Sequence, residues 1–180
     1  SRSINITVIR EQTIWIHKMA VTCVDTKVIP KIGEVLATCS DDRRIYVYSY
    51  GSKSQRQRGN SKTKHEIHIQ NNKILQVQQI LSLQSNINGR YITYLALNKS
   101  GKLFAVSADG ILYIFNLVEL LQRKEYSSDF SHEAEAYRKI HIGSIEGLRV
   151  RGNKILTCSS DCCAAYCEYK CKKKNQSFNA

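Results

Sequence analysis

Proline is nearly missing from this chain, at one residue in 180, and glycine is sparse at nine. That composition excludes collagen-like repeats and proline-rich linkers. Long apolar runs are missing too. None approaches the roughly 18 residues that a membrane-spanning helix needs, which argues against an integral membrane protein, and no membrane partner is expected. The first residues lack the charged, apolar and small-residue order of a secretory signal. Acidic residues are short, 15 Asp+Glu against 27 Lys+Arg, leaving a formal net charge of +12. Seven cysteines are present, an odd number. Without a secretory signal they read as reduced thiols of a cytoplasmic or nuclear protein. What is there is ordinary for a globular domain, 42% hydrophobic and 23% charged residues, on a chain long enough for one domain or two small ones.

The apolar residues come in short β-branched and aromatic runs. Ile4, Ile6 and Val8 alternate with Asn5 and Thr7, and Ile14, Trp15 and Ile16 follow a polar break. Further runs lie at 35–38, 45–50, 74–83, 91–97, 103–106, 111–115, 145–150 and 155–158. Alternation puts successive side chains on opposite faces of a strand, so the pattern predicts an all-β sandwich, barrel or propeller. A strand so close to Ser1 has no preceding partner, which gives the expectation that this is part of a longer chain. One helix is expected over 117–124, with Asn116 as its cap and Leu117, Leu120, Leu121 and Lys124 on one face.

An internal repeat decides among these architectures. Residues 36–48 align without a gap to 103–115 and to 155–167. In each copy an apolar strand ends in Ser-x-Asp (Ser40 and Asp42, Ser107 and Asp109, Ser159 and Asp161), turns tightly and leaves through a second strand. The short Asp carboxylate can accept from nearby backbone N–H groups and support such a turn. Two copies have a histidine upstream, His17 and His141. These residues resemble the WD-repeat (Trp-Asp repeat) β-propeller family in degenerate form. The resemblance implies all-β blades of four-stranded antiparallel sheet, about three plus part of a preceding one, in an incomplete ring. It further implies that His17, Ser40 and Asp42, and His141, Ser159 and Asp161, hydrogen-bond within their blades. Tyr48, Phe115 and Cys167 stand where the family has Trp, and the middle repeat keeps Ser107 and Asp109 without a histidine.

The turn aspartates are 67 and 52 residues apart, against about 40–45 for this repeat type. The surplus is assigned to insertions at 51–72 and 117–136. The expected organisation is therefore the end of a preceding blade at 1–16, repeats at 17–83, 84–140 and 141–169, and a basic tail at 170–180. Too few blades are present to close a ring, so the rest is expected from missing chain or from a second polypeptide.

The positive charge concentrates in the first insertion and the tail. Lys53, Arg56, Arg58, Lys62, Lys64 and Lys73 face Glu66 alone, and Lys170, Lys172, Lys173 and Lys174 face no acid. Such segments are either solvated loops or contacts to phosphates or an acidic partner, through counterion release in the case of nucleic acid. No aromatic residue interleaves with the lysines, so a base-stacking platform is not expected there.

Five cysteines crowd the end of the chain: Cys158, Cys162, Cys163, Cys167 and Cys171. They lack a Cys-x-x-Cys pair, and the repeat places them on a strand–turn–strand. They are therefore read as structural, with Cys158 and Cys167 on positions that the repeat buries, and no metal is expected. His65 and His68 are three apart on an expected strand or loop, unlike the helical four-residue spacing of a metalloprotease. No phosphate-binding glycine loop or nucleophile elbow occurs, so neither an enzyme nor a cofactor is expected. The resemblance implies a non-catalytic scaffold that joins other protein subunits in a large assembly. The alternative is a ribonucleoprotein component contacting RNA through the basic loop and tail.

Overall fold

A computed structural model describes residues 17–51, 76–84, 91–123 and 133–170. The runs read at 4–8 and 14–16, and most of the basic loop and tail, lie outside these residues. The described chain is mostly β, in three antiparallel sheets. The first has β1 (Val21–Ile29), β2 (Gly33–Ser40), β3 (Arg44–Gly51) and β4 (Gln76–Gln84), hydrogen-bonded in sequence order. The second has β5 (Ile92–Leu97), β6 (Lys102–Ser107), β7 (Ile111–Asn116) and β8 (Ala136–Lys139), also in order. The third has β9 (Ile145–Arg151), β10 (Lys154–Ser159) and β11 (Ala164–Glu168). These are propeller blades, and among the described residues they form no closed ring.

Stacking follows from the period-2 pleat. Ala37, Cys39, Ile45 and Val47 point from the first blade into one core, where Leu95, Leu97, Leu103 and Phe115 of the second blade meet them. Phe104, Val106, Leu112 and Ile114 leave the opposite face of the second blade and enter another core with Ile145, Leu148 and Ile155. The middle blade is thus covered on both sides, and every residue of β6 is buried.

The first strands of the blades are also tied by hydrogen bonds. Each contains a bulge that frees one residue from pairing: Thr22 in β1, Thr93 in β5 and Glu146 in β9. A bulge re-aims a side chain. Here the Thr22 hydroxyl donates to the Ile92 carbonyl at 2.8 Å, and the Thr93 hydroxyl donates to the Ile145 carbonyl at 2.7 Å. Lower down, the Leu97 N–H donates to the Asp25 carboxylate at 2.7 Å, and the Asn98 side-chain amide donates to the Gly152 carbonyl at 3.1 Å.

The insertion after β7 opens with a helix, α1 (Leu117–Gln122), capped by Asn116, whose side chain accepts from the Glu119 N–H. Leu117 and Leu120 extend the first inter-blade core, and Arg123 pairs with Glu119 and Glu133. Lys124 lies beyond the described residues.

Equivalent turns after β2, β6 and β10 place Arg43, Gly110 and Cys162 in left-handed backbone, with φ of 65°, 81° and 65°. Arg43 and Cys162 show that this position admits a side chain. Gly110 differs, because a Cβ there would lie 2.1 Å from the His141 carbonyl oxygen. Gly110 O in turn accepts from the N–H groups of Ile140 and His141. Gly110→Ala is expected to lower stability by more than the ~1–2 kcal/mol that left-handed backbone alone costs a side chain. Gly152→Ala, at φ 61° with nothing within 4 Å, is expected to stay within that range. Equal urea midpoints for the two variants would contradict this close approach.

Candidate functional site: two His–Asp–Thr sets and two open blade faces

The chain entering β1 brings His17 beside the turn after β2. His17 Nδ1 lies 3.0 Å from Asp42 Oδ2, and its Nε2 lies 2.8 Å from Thr38 Oγ1. The Asp42 carboxylate also accepts from the N–H groups of Lys18 and Arg44, both at 3.0 Å. The third blade repeats this arrangement. His141 Nδ1 is 3.0 Å from Asp161 Oδ2 and its Nε2 is 2.9 Å from Thr157 Oγ1, while Asp161 accepts from the N–H groups of Ile142 and Cys163.

The histidines and aspartates singled out in sequence therefore meet, but the hydroxyl partner is a threonine. Ser40 and Ser159 do not reach the imidazoles. Each instead accepts from the N–H of the turn aspartate, Asp42 or Asp161, and Ser40 also donates to the Met19 carbonyl. The reason is the pleat: Thr38 and Thr157 stand two residues earlier on the same strand, far enough from the turn to leave room for the ring. In the middle blade Ala105 occupies the threonine position. There Ser107 donates to Asp109, and its hydroxyl also bonds the Ile111 backbone. Tyr48 does not join the first set either. Its buried hydroxyl has no partner among the described residues, while the Tyr46 ring packs edge-on against His17 at 4.9 Å.

Electrostatics follow from the backbone donors. Burial opposes ionisation of Asp42, but the Lys18 N–H, His17 and the Arg44 N–H outweigh it and lower its pKa. For Asp161, desolvation is likewise outweighed by the N–H groups of Ile142 and Cys163 and by His141 and Ser159, and the carboxyl is held down to about 2. A carboxylate–imidazole–hydroxyl series is also the order of a nucleophilic triad. Here the Thr157 hydroxyl is buried within β10 and bonded to a buried His141, so it presents no nucleophile to a substrate.

The cysteines divide differently from their sequence reading. Cys158 is exposed, against the expectation that the repeat buries it, because no described blade covers that face; Cys162 and Cys163 are exposed as well, and Cys167 is half-buried. Among the described residues no group of three His, Cys, Asp or Glu side chains is placed to hold a metal ion. Cys23 and Cys39, which sequence reading passed over, face each other across β1 and β2. A hydrogen bond from Cys39 pulls the Cys23 thiol down to about 6, and the same bond together with burial pushes Cys39 up.

Of the basic candidates, Lys170 is described and exposed. Lys53, Arg56, Arg58, Lys62, Lys64, Lys172, Lys173 and Lys174 lie outside the described residues. So do His65, His68 and Cys171. No helix among the described residues is long and apolar enough to cross a membrane.

Successive antiparallel sheets, each laying one face on the next and tied through its first strand, define a partial β-propeller. Residues 10–49 match the family model "WD domain, G-beta repeat", in agreement with a WD-repeat family whose repeats are degenerate. WD-repeat domains generally act as protein-interaction scaffolds. No curated protein matches the chain.

The depressed carboxylates make the third blade acid-sensitive. An unfolded Asp titrates near ~3.9. The stability from Asp161 is therefore fully present above that pH and is lost as pH falls through about 2. Asp161→Asn should flatten the decline of melting temperature between roughly pH 4 and pH 2, read by circular dichroism; an unchanged acid profile would contradict the role. Thr157→Val is expected to cost ~1–3 kcal/mol by leaving a buried imidazole nitrogen unpaired. Exposed Ser160→Ala serves as its control and is expected to change little.

Proposed function

We propose that this chain is a non-catalytic WD-repeat scaffold whose end blades engage other protein subunits, with the remainder of its ring supplied by further chain or by a second polypeptide. One observation carries the reading: among the described residues, the faces that build the two inter-blade cores recur uncovered at the ends of the stack. On the first blade Val24 and Val28 are 57% and 63% exposed, and on the third Leu156 and Tyr166 are 55% and 59% exposed. Apolar positions presented together in this way favour an interaction surface. The two His–Asp–Thr sets serve in this reading as internal clamps, holding the entry loop of each end blade to its turn. The protein acts within an assembly and needs no cofactor to do so.

Affinity purification of the tagged full chain from its source cells, with and without ribonuclease, tests the proposal. Protein partners should remain bound after ribonuclease treatment. Loss of every partner would overturn the scaffold in favour of an RNA-held particle. The isolated 180-residue chain is not expected to be a monodisperse, folded monomer in light scattering, since its exposed apolar residues lack their partner; such a monomer would contradict the open-ring reading.

A further inference from the structure

The two observed inter-blade contacts serve as internal standards for the third, uncovered one. Bulge and register align Thr22, Thr93 and Glu146, then Asp25, Ala96 and Arg149, then Lys27, Asn98 and Arg151. At the first of these positions a hydroxyl donates to a carbonyl of the next blade in both standards. Glu146 carries a carboxylate, which can only accept and would face such a carbonyl with like partial charge. At the second position Asp25 accepts a backbone N–H of the next blade, whereas Arg149 can only donate. Ala96 makes no such side-chain bond, and at the third position Asn98 donates to the Gly152 carbonyl, a polarity that Arg151 keeps. The polarity of the latch is therefore inverted on the third blade at the first position and, relative to Asp25, at the second.

We infer that the open face of the third blade is an interaction surface for a protein strand carrying paired carboxylates, and not for another blade of the kind found in this chain. The inference rests on the scaffold reading and specifies the partner of one of its faces. Arg149 and Arg151 are two residues apart on β9, so both project from one side of the strand, roughly 6–7 Å apart. Both are exposed, as is Glu146. Among the described residues neither arginine pairs with a carboxylate. An extended partner segment with Asp or Glu at alternate positions matches that spacing and can bind each guanidinium through two parallel hydrogen bonds. A Lys, Arg or free N–H donor opposite Glu146 completes the row. Leu156, Cys158, Ala164 and Tyr166, at the positions that are buried at both standard interfaces, receive apolar side chains beside it. A second copy of this chain is a poor occupant. The exposed residues of β1 that it would bring are Val21, Val24, Thr26 and Val28, none of which offers the arginines a carboxylate.

The test places a photo-reactive benzoylphenylalanine at position 166 of the full chain in its source cells. The cross-linked peptide is sequenced, and a second probe at exposed Ile142 reports on scaffold activity in general. The expected adduct is a peptide of another protein with carboxylates two residues apart. Its yield should fall at least tenfold in R149E/R151E and persist in R149K/R151K, with melting curves of both variants matching the parent. An adduct to a second copy of this chain, to nucleic acid or to a peptide without such carboxylates would overturn the inference. So would indifference to charge reversal, or no adduct at 166 while the probe at 142 captures partners. Failure of both probes would overturn the scaffold reading as well.

Discussion

The constraint on which this structure depends is that each blade carries apolar residues on both of its faces. A β-sheet with one polar face can leave that face in water, but a blade needs a neighbour on each side. The middle blade has two, and its β6 and β7 are buried at nearly every position. The third blade has the same repeat sequence pattern and one neighbour among the described residues, so β10 and β11 alternate between covered and exposed residues. Full burial of one Leu-sized side chain is worth ~1.5–3 kcal/mol. Each uncovered face therefore leaves out a contribution comparable to a sizeable part of a domain's net stability. In the scaffold reading proposed above, assembly follows physically from the blade pattern, whichever polypeptide supplies the next layer.

The distribution of the His–Asp–Thr sets fits this asymmetry. They occur in the first and third blades, each with one open face, and not in the middle blade, where packing on both sides holds the sheet. There the entry to the following blade is fixed by Gly110, whose carbonyl takes two backbone N–H groups and whose missing side chain lets the His141 carbonyl approach. That contact also positions the imidazole of the third blade, so the turn of one blade helps to build the polar set of the next. Short, fully bonded polar sets of this kind fix one arrangement, because separating any member leaves a desolvated donor or acceptor without a partner.

Much of this was legible in the sequence, because the turn chemistry is local. Ser-x-Asp followed by a second apolar run identified the strand pairs, and His17 and His141 lie at the entrances that lead to those turns. The threonines were missed because sequence spacing does not reveal which side of a pleated strand meets a ring arriving from a distant segment. β1 was not foreseen because its apolar alternation is interrupted by Thr22, Asp25 and Lys27, of which Thr22 and Asp25 are hydrogen-bonded to the next blade. The exposure of Cys158 was missed for a related reason. Its equivalent Cys39 is buried, and the difference lies in the neighbour, which no residue within the repeat encodes.

The bulges connect these points. A regular strand would direct each side chain into one of its two faces, where only apolar packing distinguishes one neighbouring blade from another. Freeing a single residue at the start of β1, β5 and β9 lets its side chain address the backbone of the adjoining first strand, where hydrogen-bond polarity adds a second criterion. Thr22 and Thr93 meet a carbonyl, and the stack continues. Glu146 in the same backbone setting would oppose a carbonyl, while Arg149 offers donors where Asp25 offered an acceptor. Apolar patterning invites further layers on this face, and the polar row limits which layer fits. Specificity at the end of the stack thus arises from the combination of a permissive apolar surface with an exclusionary charged edge.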